Sequence, residues 1–168
     1  MERVLVIGAG GSGKTTVART LAERLGLPLI HLDAHYWRPG WTPTPPDEWQ
    51  SVVEALVAQP RWVMDGNYGG TLDMRLAACD SVVFLDLPRR VCLWRILKRR
   101  TRYRGHTRPD VAPGCPERLT WEFLRWVWTY PKRRRGRILE RLRTLTGRRV
   151  VILSSQREVE RFLATLVA

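Results

Sequence analysis

The eight residues Gly8-Ala9-Gly10-Gly11-Ser12-Gly13-Lys14-Thr15 fit the spacing G-x-x-x-x-G-K-[ST] and follow directly on the apolar run Val4-Leu5-Val6-Ile7. A strand that enters such a loop and leaves it as a helix is the setting in which this spacing cradles phosphate. The glycines allow successive backbone N–H groups to turn onto phosphate oxygens, and the following helix aims the positive end of its dipole at the same point. Gly8, Gly10, Gly11, Ser12 and Gly13 are therefore expected to line a nucleoside triphosphate tail. Lys14 is expected on its β- and γ-phosphates and Thr15 on Mg²⁺, with Thr16 beside them. MgATP is the expected ligand.

The chemistry depends on what faces this loop. Asp33 follows a second apolar run and precedes an aromatic loop. It either takes a proton from an acceptor hydroxyl, holds a Mg²⁺-bound water or caps a turn. Asp65 ends Trp62-Val63-Met64, the strand-end position from which a carboxylate supports the metal's water shell, the alternative again being a turn. Asp86 reads as closing a turn onto a helix at Pro88. Arg75, on a short helix after Asp65, either reaches an anionic acceptor or is solvated. Arg99, Arg100, Arg102, Arg104 and Arg108 crowd a helix end and the loop beyond it, where a lid over roughly residues 99–116 could bring one or two guanidinium groups onto the transferring phosphoryl. Tyr36 and Trp37, with Trp41, are expected to wall an acceptor pocket that Asn67 and Arg125 complete. Arg125 shares its helix with Trp121, Phe123, Trp126 and Trp128, a run that reads first as a packing face.

Positioning these groups requires alternating strands and helices. Strands are expected at about residues 3–8, 28–32, 61–65, 81–86 and 150–153. Helices are expected at about 13–25, 47–58, 88–103, 117–130 and 133–145, with a last one opened by the capping box Ser155-x-x-Glu158. The proline-rich stretch 38–46 reads as a loop without regular structure. Short apolar strands separated by helices predict an α/β fold: a parallel sheet covered on both faces, with ligands beyond the carboxyl ends of the strands. The P-loop, Asp33, Asp65 and Asp86 all fall on that edge.

At 168 residues the chain is expected to form one domain, 1–168. The apolar runs are too short to span a bilayer and the N-terminus lacks a signal-peptide layout, so a cytoplasmic protein without a membrane partner is expected. Its three cysteines suggest neither a disulfide framework nor a zinc site. The formal net charge of +13 is uneven: residues 89–149 alone hold 20 Lys/Arg against 4 Asp/Glu. Such a field draws in polyanions, whether ATP, a phosphorylated acceptor, nucleic acid or an acidic membrane. The run Lys132-Arg133-Arg134-Arg135-x-Arg137 reads as a solvated helix start or an electrostatic patch.

Taken together, the P-loop, His31-Leu32-Asp33 with Tyr36-Trp37-x-Pro39-Gly40-Trp41, Trp62-Val63-Met64-Asp65-Gly66-Asn67-Tyr68, and Arg104-Gly105-His106-Thr107-Arg108-Pro109-Asp110 leading to Gly114-Cys115-Pro116-Glu117 form a pattern that Glu122-Phe123-Leu124-Arg125-Trp126-Val127-Trp128 completes. The chain thereby resembles the small P-loop kinases of the adenylate-kinase-like group, and more closely the bacterial DNA topology modulation, or FlaR-like, proteins. This resemblance implies a three-layer P-loop NTPase fold with a five-stranded parallel sheet in the order 2-3-1-4-5 and a basic helical lid. It further implies that Asp65 is metal-associated, that Arg99 and the catalytic Arg100 are lid arginines, and that Ser155 lies where adenine is held. The segment after Asp33 departs from the AMP-binding helices of adenylate kinases.

Two functions remain from these residues. One is a kinase that transfers the γ-phosphoryl group of MgATP to a small-molecule or nucleotide acceptor, as a monomer or homodimer. The other is a nucleic-acid-associated P-loop ATPase that grips phosphates with its basic lobe. The sequence favours the first.

Overall fold

The computed structural model describes residues 1–166. Five parallel strands form the central sheet: β1 (Arg3–Gly8), β2 (Leu29–His31), β5 (Trp62–Asp65), β6 (Ser81–Leu85) and β7 (Arg149–Leu153), ordered β2-β5-β1-β6-β7. Counted among the sheet's own strands this is 2-3-1-4-5. Residues of β1, β5 and β6 are almost all buried, which suits central strands covered on both faces. The edge strand β7 is partly exposed.

Between the strands run α1 (Lys14–Leu25), α2 (Leu32–Tyr36), α3 (Pro46–Val57), α4 (Leu72–Ala78), α5 (Arg89–Arg102), α6 (Trp121–Tyr130), α7 (Gly136–Thr144) and α8 (Gln156–Ala164). Local chemistry sets several of their ends. Gly26 closes α1 in the left-handed conformation, its N–H donating to the Ala22 carbonyl. Pro46 opens α3 with Asp47 and Glu48 in its first turn, where proline needs no N–H partner and the dipole favours negative charge. Ser155 caps α8 by accepting the Glu158 N–H, while the Glu158 carboxylate reaches back to the Ser154 N–H.

Two stretches differ from the sequence expectation. Residues 37–43 are not an irregular loop: Trp37–Arg38 (β3) and Thr42–Pro43 (β4) pair antiparallel across a short 3₁₀ turn. Pro131 does not separate two helices. A π turn over Pro131–Arg135 carries the chain from α6 into α7 without a break. The wider turn accommodates a proline that lacks the N–H for a helical ladder bond.

The register prepares the site. His31 pairs with Asp65 and Asp65 with Val6, so three adjacent strands end together beside the P-loop. The segment after α5 then folds back over the β3–β4 hairpin. The Gly40 N–H donates to the Gly114 carbonyl (2.9 Å), and the Trp41 indole N–H donates to that of Pro116 (2.9 Å). Val111, Ala112 and Cys115 bury a second small core against Trp37 and Trp41. Among the described residues no helix is long and apolar enough to cross a membrane.

Candidate active site

The P-loop is pressed between α5 and α6. Gly11 has φ +76°, and a Cβ on it would run into the backbone carbonyl of Cys92 in α5. A Cβ on Gly10 would fall 2.8 Å from the ring of Phe123 in α6. Two side chains from distant segments hold the loop in place. Asn67 accepts the Gly8 N–H on Oδ1 (3.1 Å) and donates from Nδ2 to the Gly8 carbonyl (2.5 Å). Arg95 donates to the Ser12 carbonyl (3.0 Å) and to Gln156 Oε1 (2.7 Å), tying the loop to the start of α8.

Inside the loop, Lys14 Nζ donates to the Ala9 carbonyl (2.9 Å). Desolvation lowers its pKa, while the negative charges of Asp65 and Asp33 pull it back up. The Ser12 hydroxyl is buried and finds no hydrogen-bond partner among the described residues. An orphaned hydroxyl, an ammonium held in low dielectric and a loop too tight for side chains together fit the phosphates of a nucleotide. Lys14, Ser12 and the loop amides would hold them, and Thr15 would reach the Mg²⁺ they carry. No cluster of three or more His, Cys, Asp or Glu side chains among the described residues could hold a metal by itself. Magnesium shared between one or two protein oxygens and substrate phosphates suits such a site.

Three carboxylates surround this point. Asp65, at the end of β5, accepts a hydrogen bond from His31 Nδ1 (2.8 Å). Burial works against the imidazolium, but the bond to Asp65, its charge and that of Asp110 outweigh it, and the His31 pKa is raised. Asp33 lies in the first turn of α2 and accepts from the Tyr68 hydroxyl (2.5 Å). Desolvation pushes its pKa up, against the opposing effects of the Tyr68 bond and the Lys14 charge. Asp110 comes from the segment beyond α5. Its Oδ2 accepts from the Thr15 hydroxyl at 3.4 Å and from Arg108 at 2.5 Å. Arg108 and Arg99 then flank Glu117, at 2.8 and 2.9 Å. Arg99 is itself partly buried, and burial with the nearby Arg108 charge lowers its pKa against the pull of Glu117.

The other residues singled out by sequence fall in different places. Tyr36 is beside the site, its ring 4.6 Å from that of Tyr68. Trp37 instead packs under the folded-back segment with Trp41. Asn67 holds the P-loop backbone with both ends of its amide, rather than presenting it to an acceptor. Arg75 is neither solvated nor available to an acceptor: it is fully buried and donates to the carbonyls of Gly66, Asn67, Tyr68 and Thr71. Arg100 donates to the Glu117 carbonyl (2.6 Å). Arg99 holds the carboxylate of the same residue (2.9 Å), so both arginines bind Glu117, one through its side chain and the other through its backbone. Thr16 and Arg125 are exposed, and the Ser155 hydroxyl is the α8 cap. Asp86 is held by Arg135 (2.8 Å), as a turn residue would be.

His31, Arg95 and Asp110 belong to the site and carried no signal of their own. His31 was legible only as the residue two before Asp33, and Asp110 only as part of a loop motif. Arg95 sits one helical turn before Arg99 on α5, a spacing that places both on the P-loop side.

These features define a P-loop at the carboxyl edge of a parallel sheet, and known structures agree on the fold. The shikimate kinase of Acinetobacter baumannii, in complex with shikimate, superposes with a TM-score of 0.62 at 20% identity, covering 99% of this chain and 90% of the other. A shikimate kinase from Bacteroides thetaiotaomicron gives 0.59 at 15% identity, with 98% and 95% covered. A gluconokinase from Sinorhizobium meliloti gives 0.55 at 20%, with 98% and 93% covered. The fold is that of the P-loop kinases. No protein-family model matches the chain, so the finer resemblance to the DNA topology modulation proteins gains no support there. No curated protein matches it either.

Proposed function

We propose that this protein is an ATP-dependent phosphotransferase acting on a hydroxyl group of a small-molecule acceptor. The observation that carries the proposal is Asp33: a part-buried carboxylate of raised pKa, oriented by Tyr68 and close enough to Lys14 for each to perturb the other. A phosphate acceptor is already anionic and needs no base, whereas a hydroxyl gains from one. The kinases that share the fold are named for shikimate and gluconate, which supports a small-molecule acceptor over a nucleotide.

In this reading the P-loop amides, Ser12 and Lys14 bind the phosphates, and Thr15 with the Asp65–His31 pair orients the bound Mg²⁺, which neutralises phosphate charge. Asp33 positions the acceptor hydroxyl and takes its proton. Arg99 and Arg108, rather than Arg100, sit on the side from which positive charge would stabilise the transferring group. The folded-back segment excludes water. Catalysis is then mostly positioning and charge stabilisation.

A screen of hydroxylated metabolites scored by ATP consumption tests the proposal. Turnover should appear with one acceptor class and vanish in Lys14→Ala with the far-UV spectrum unchanged. Equal turnover in that variant removes the assignment.

A further inference from the structure

We infer that the outer face of α5 and α6 docks on an anionic lipid surface, with its indole rings at the level of the headgroups and its cations on the lipid phosphates. Five large hydrophobic side chains are exposed among the described residues, and four of them, Trp94, Leu97, Trp121 and Trp128, lie on these two helices. Trp94 is 60% exposed and Trp121 74%. Helical spacing lines them up. Arg90, Trp94, Leu97 and Thr101 form one exposed stripe along α5, and Trp121, Arg125 and Trp128 form another along α6. The Arg89 guanidinium of α5 lies over the Trp128 ring of α6 at 3.8 Å, so the two stripes meet. Exposed apolar surface gathered in this way marks a contact.

Charge identifies the occupant. There is no carboxylate on α5, and Glu122 is the one on α6. Arg90, Lys98, Arg102 and Arg125 are exposed and have no ion-pair partner among the described residues. A second copy of the chain would set these cations against one another, so the partner must be anionic. Single-stranded nucleic acid would stack its bases on bare rings. Here a cation already lies over Trp128, and Lys98 Nζ is 5.2 Å from the centroid of the Trp94 ring. A lipid interface instead takes ring and cation together: the amphipathic indole sits among the headgroups while the lysine and arginine stems carry their charge to the phosphates.

This face is separate from the nucleotide loop. The two helices meet the loop with their inner side, where Cys92 and Ile96 of α5 stand against Gly11, and Phe123 and Val127 of α6 stand against Gly10. A surface contact needs no membrane-spanning helix, so the shortness of the apolar runs does not stand against it. The inference does not rest on the kinase reading, since it uses none of the residues that reading invokes.

The test is co-sedimentation of the full chain, without nucleotide, with vesicles of equimolar phosphatidylcholine and phosphatidylglycerol and with vesicles of phosphatidylcholine alone. The wild type should bind the mixed vesicles with a blue shift of its tryptophan emission, and should bind phosphatidylcholine alone at least about tenfold more weakly. Trp94→Ala/Trp121→Ala should weaken binding to the mixed vesicles at least about tenfold with an unchanged far-UV spectrum. Trp94→Tyr/Trp121→Tyr keeps an amphipathic ring at both positions and should retain most of the binding. Arg133→Ala/Arg137→Ala, which removes charge from the π turn and α7 instead, should stay within about threefold of the wild type. Absence of binding to the mixed vesicles overturns the inference, as does a loss in the arginine pair equal to or greater than that in the tryptophan-to-alanine pair. So does a single-stranded oligonucleotide that binds through Trp94 and Trp121 where the vesicles do not.

Discussion

The Thr15 hydroxyl donates to Asp110 Oδ2 at 3.4 Å, joining the first turn after the P-loop to a segment 95 residues away. Asp110 is in turn tied through Arg108 to Glu117, and Glu117 to Arg99. The carboxylate therefore sits where Thr15 would meet a metal, while its charge is matched by an arginine beside it. Asp110→Asn removes the charge and keeps the shape. It is expected to raise the Mg²⁺ concentration needed for half-maximal ATP turnover by about tenfold, with little change in thermal midpoint. Titrating activity with Mg²⁺ at fixed ATP checks this, and an unaltered metal requirement would remove Asp110 from the site.

The two glycines in the crook of the loop should respond differently to alanine. At Gly11 the obstacle is the backbone of Cys92 and the conformation is left-handed, so Gly11→Ala must move α5. At Gly10 the obstacle is the far end of the Phe123 side chain. Gly11→Ala is expected to cost about 1–3 kcal/mol of stability and to abolish nucleotide binding, Gly10→Ala clearly less on both counts. Chemical denaturation and ADP titration would show the order, and the reverse order would contradict the packing described.

Arg75 is a buried cation whose neighbours are carbonyls, and it is pushed down to about 10 by burial. The turn it holds carries Asn67 on one side and Tyr68 on the other, so it supports both the P-loop clamp and the Asp33 contact. Arg75→Ala leaves those carbonyls without donors and is expected to destabilise the fold by at least about 3 kcal/mol. Arg75→Lys, with a compact head that cannot span them, should recover less than half of that. Urea midpoints measure both, and a near-neutral alanine variant would show that Arg75 is not a strut.

These residues also show what could be read from the sequence. The P-loop and the sheet order were legible because glycine spacing, buried apolar runs and alternating elements are local signals. Asp33 and Asp65 could be singled out because they follow apolar runs, and the structure places them at the carboxyl edge of the sheet. Arg75 was misread because charge on a short helix looks solvated until the turn that wraps it is known. The bonds of Asn67 to Gly8 and of Arg100 to Glu117 could not be read because those backbone partners lie 59 and 17 residues away. The β3–β4 hairpin escaped notice because its two-residue strands are crowded by prolines. The helix through Pro131 was hidden because the proline rule assumes an α turn and the chain makes a π turn.

The His31–Asp65 bond gives stability a specific pH dependence. The folded state holds the His31 proton more tightly than the unfolded chain, whose value is 6.5. Its contribution is fully present below that value and is lost as pH rises through the raised folded pKa. His35, lowered by burial and by the charge of His31, acts in the opposite sense and below 6.5. As pH rises above 6.5 the wild type should therefore lose more stability than His31→Asn. Parallel slopes in urea denaturation across that range would mean that the pair does not carry a proton.

Asp33 offers the sharpest test of mechanism, because the bond that orients it also tunes it. Desolvation raises its pKa above the usual 3.8, and the Tyr68 hydroxyl partly counters this. If Asp33 must be ionised to accept the acceptor's proton, kcat/KM falls on the acid side through that raised value. Tyr68→Phe removes the stabilising donor and should move the acid limb to higher pH while leaving the alkaline plateau within about tenfold of the wild type. Asp33→Asn should abolish the limb and reduce kcat by about 10²–10⁴. A general structural role for Tyr68 would lower the rate at every pH without moving the limb, so the position of the limb, and not the height of the plateau, decides whether Asp33 is the base.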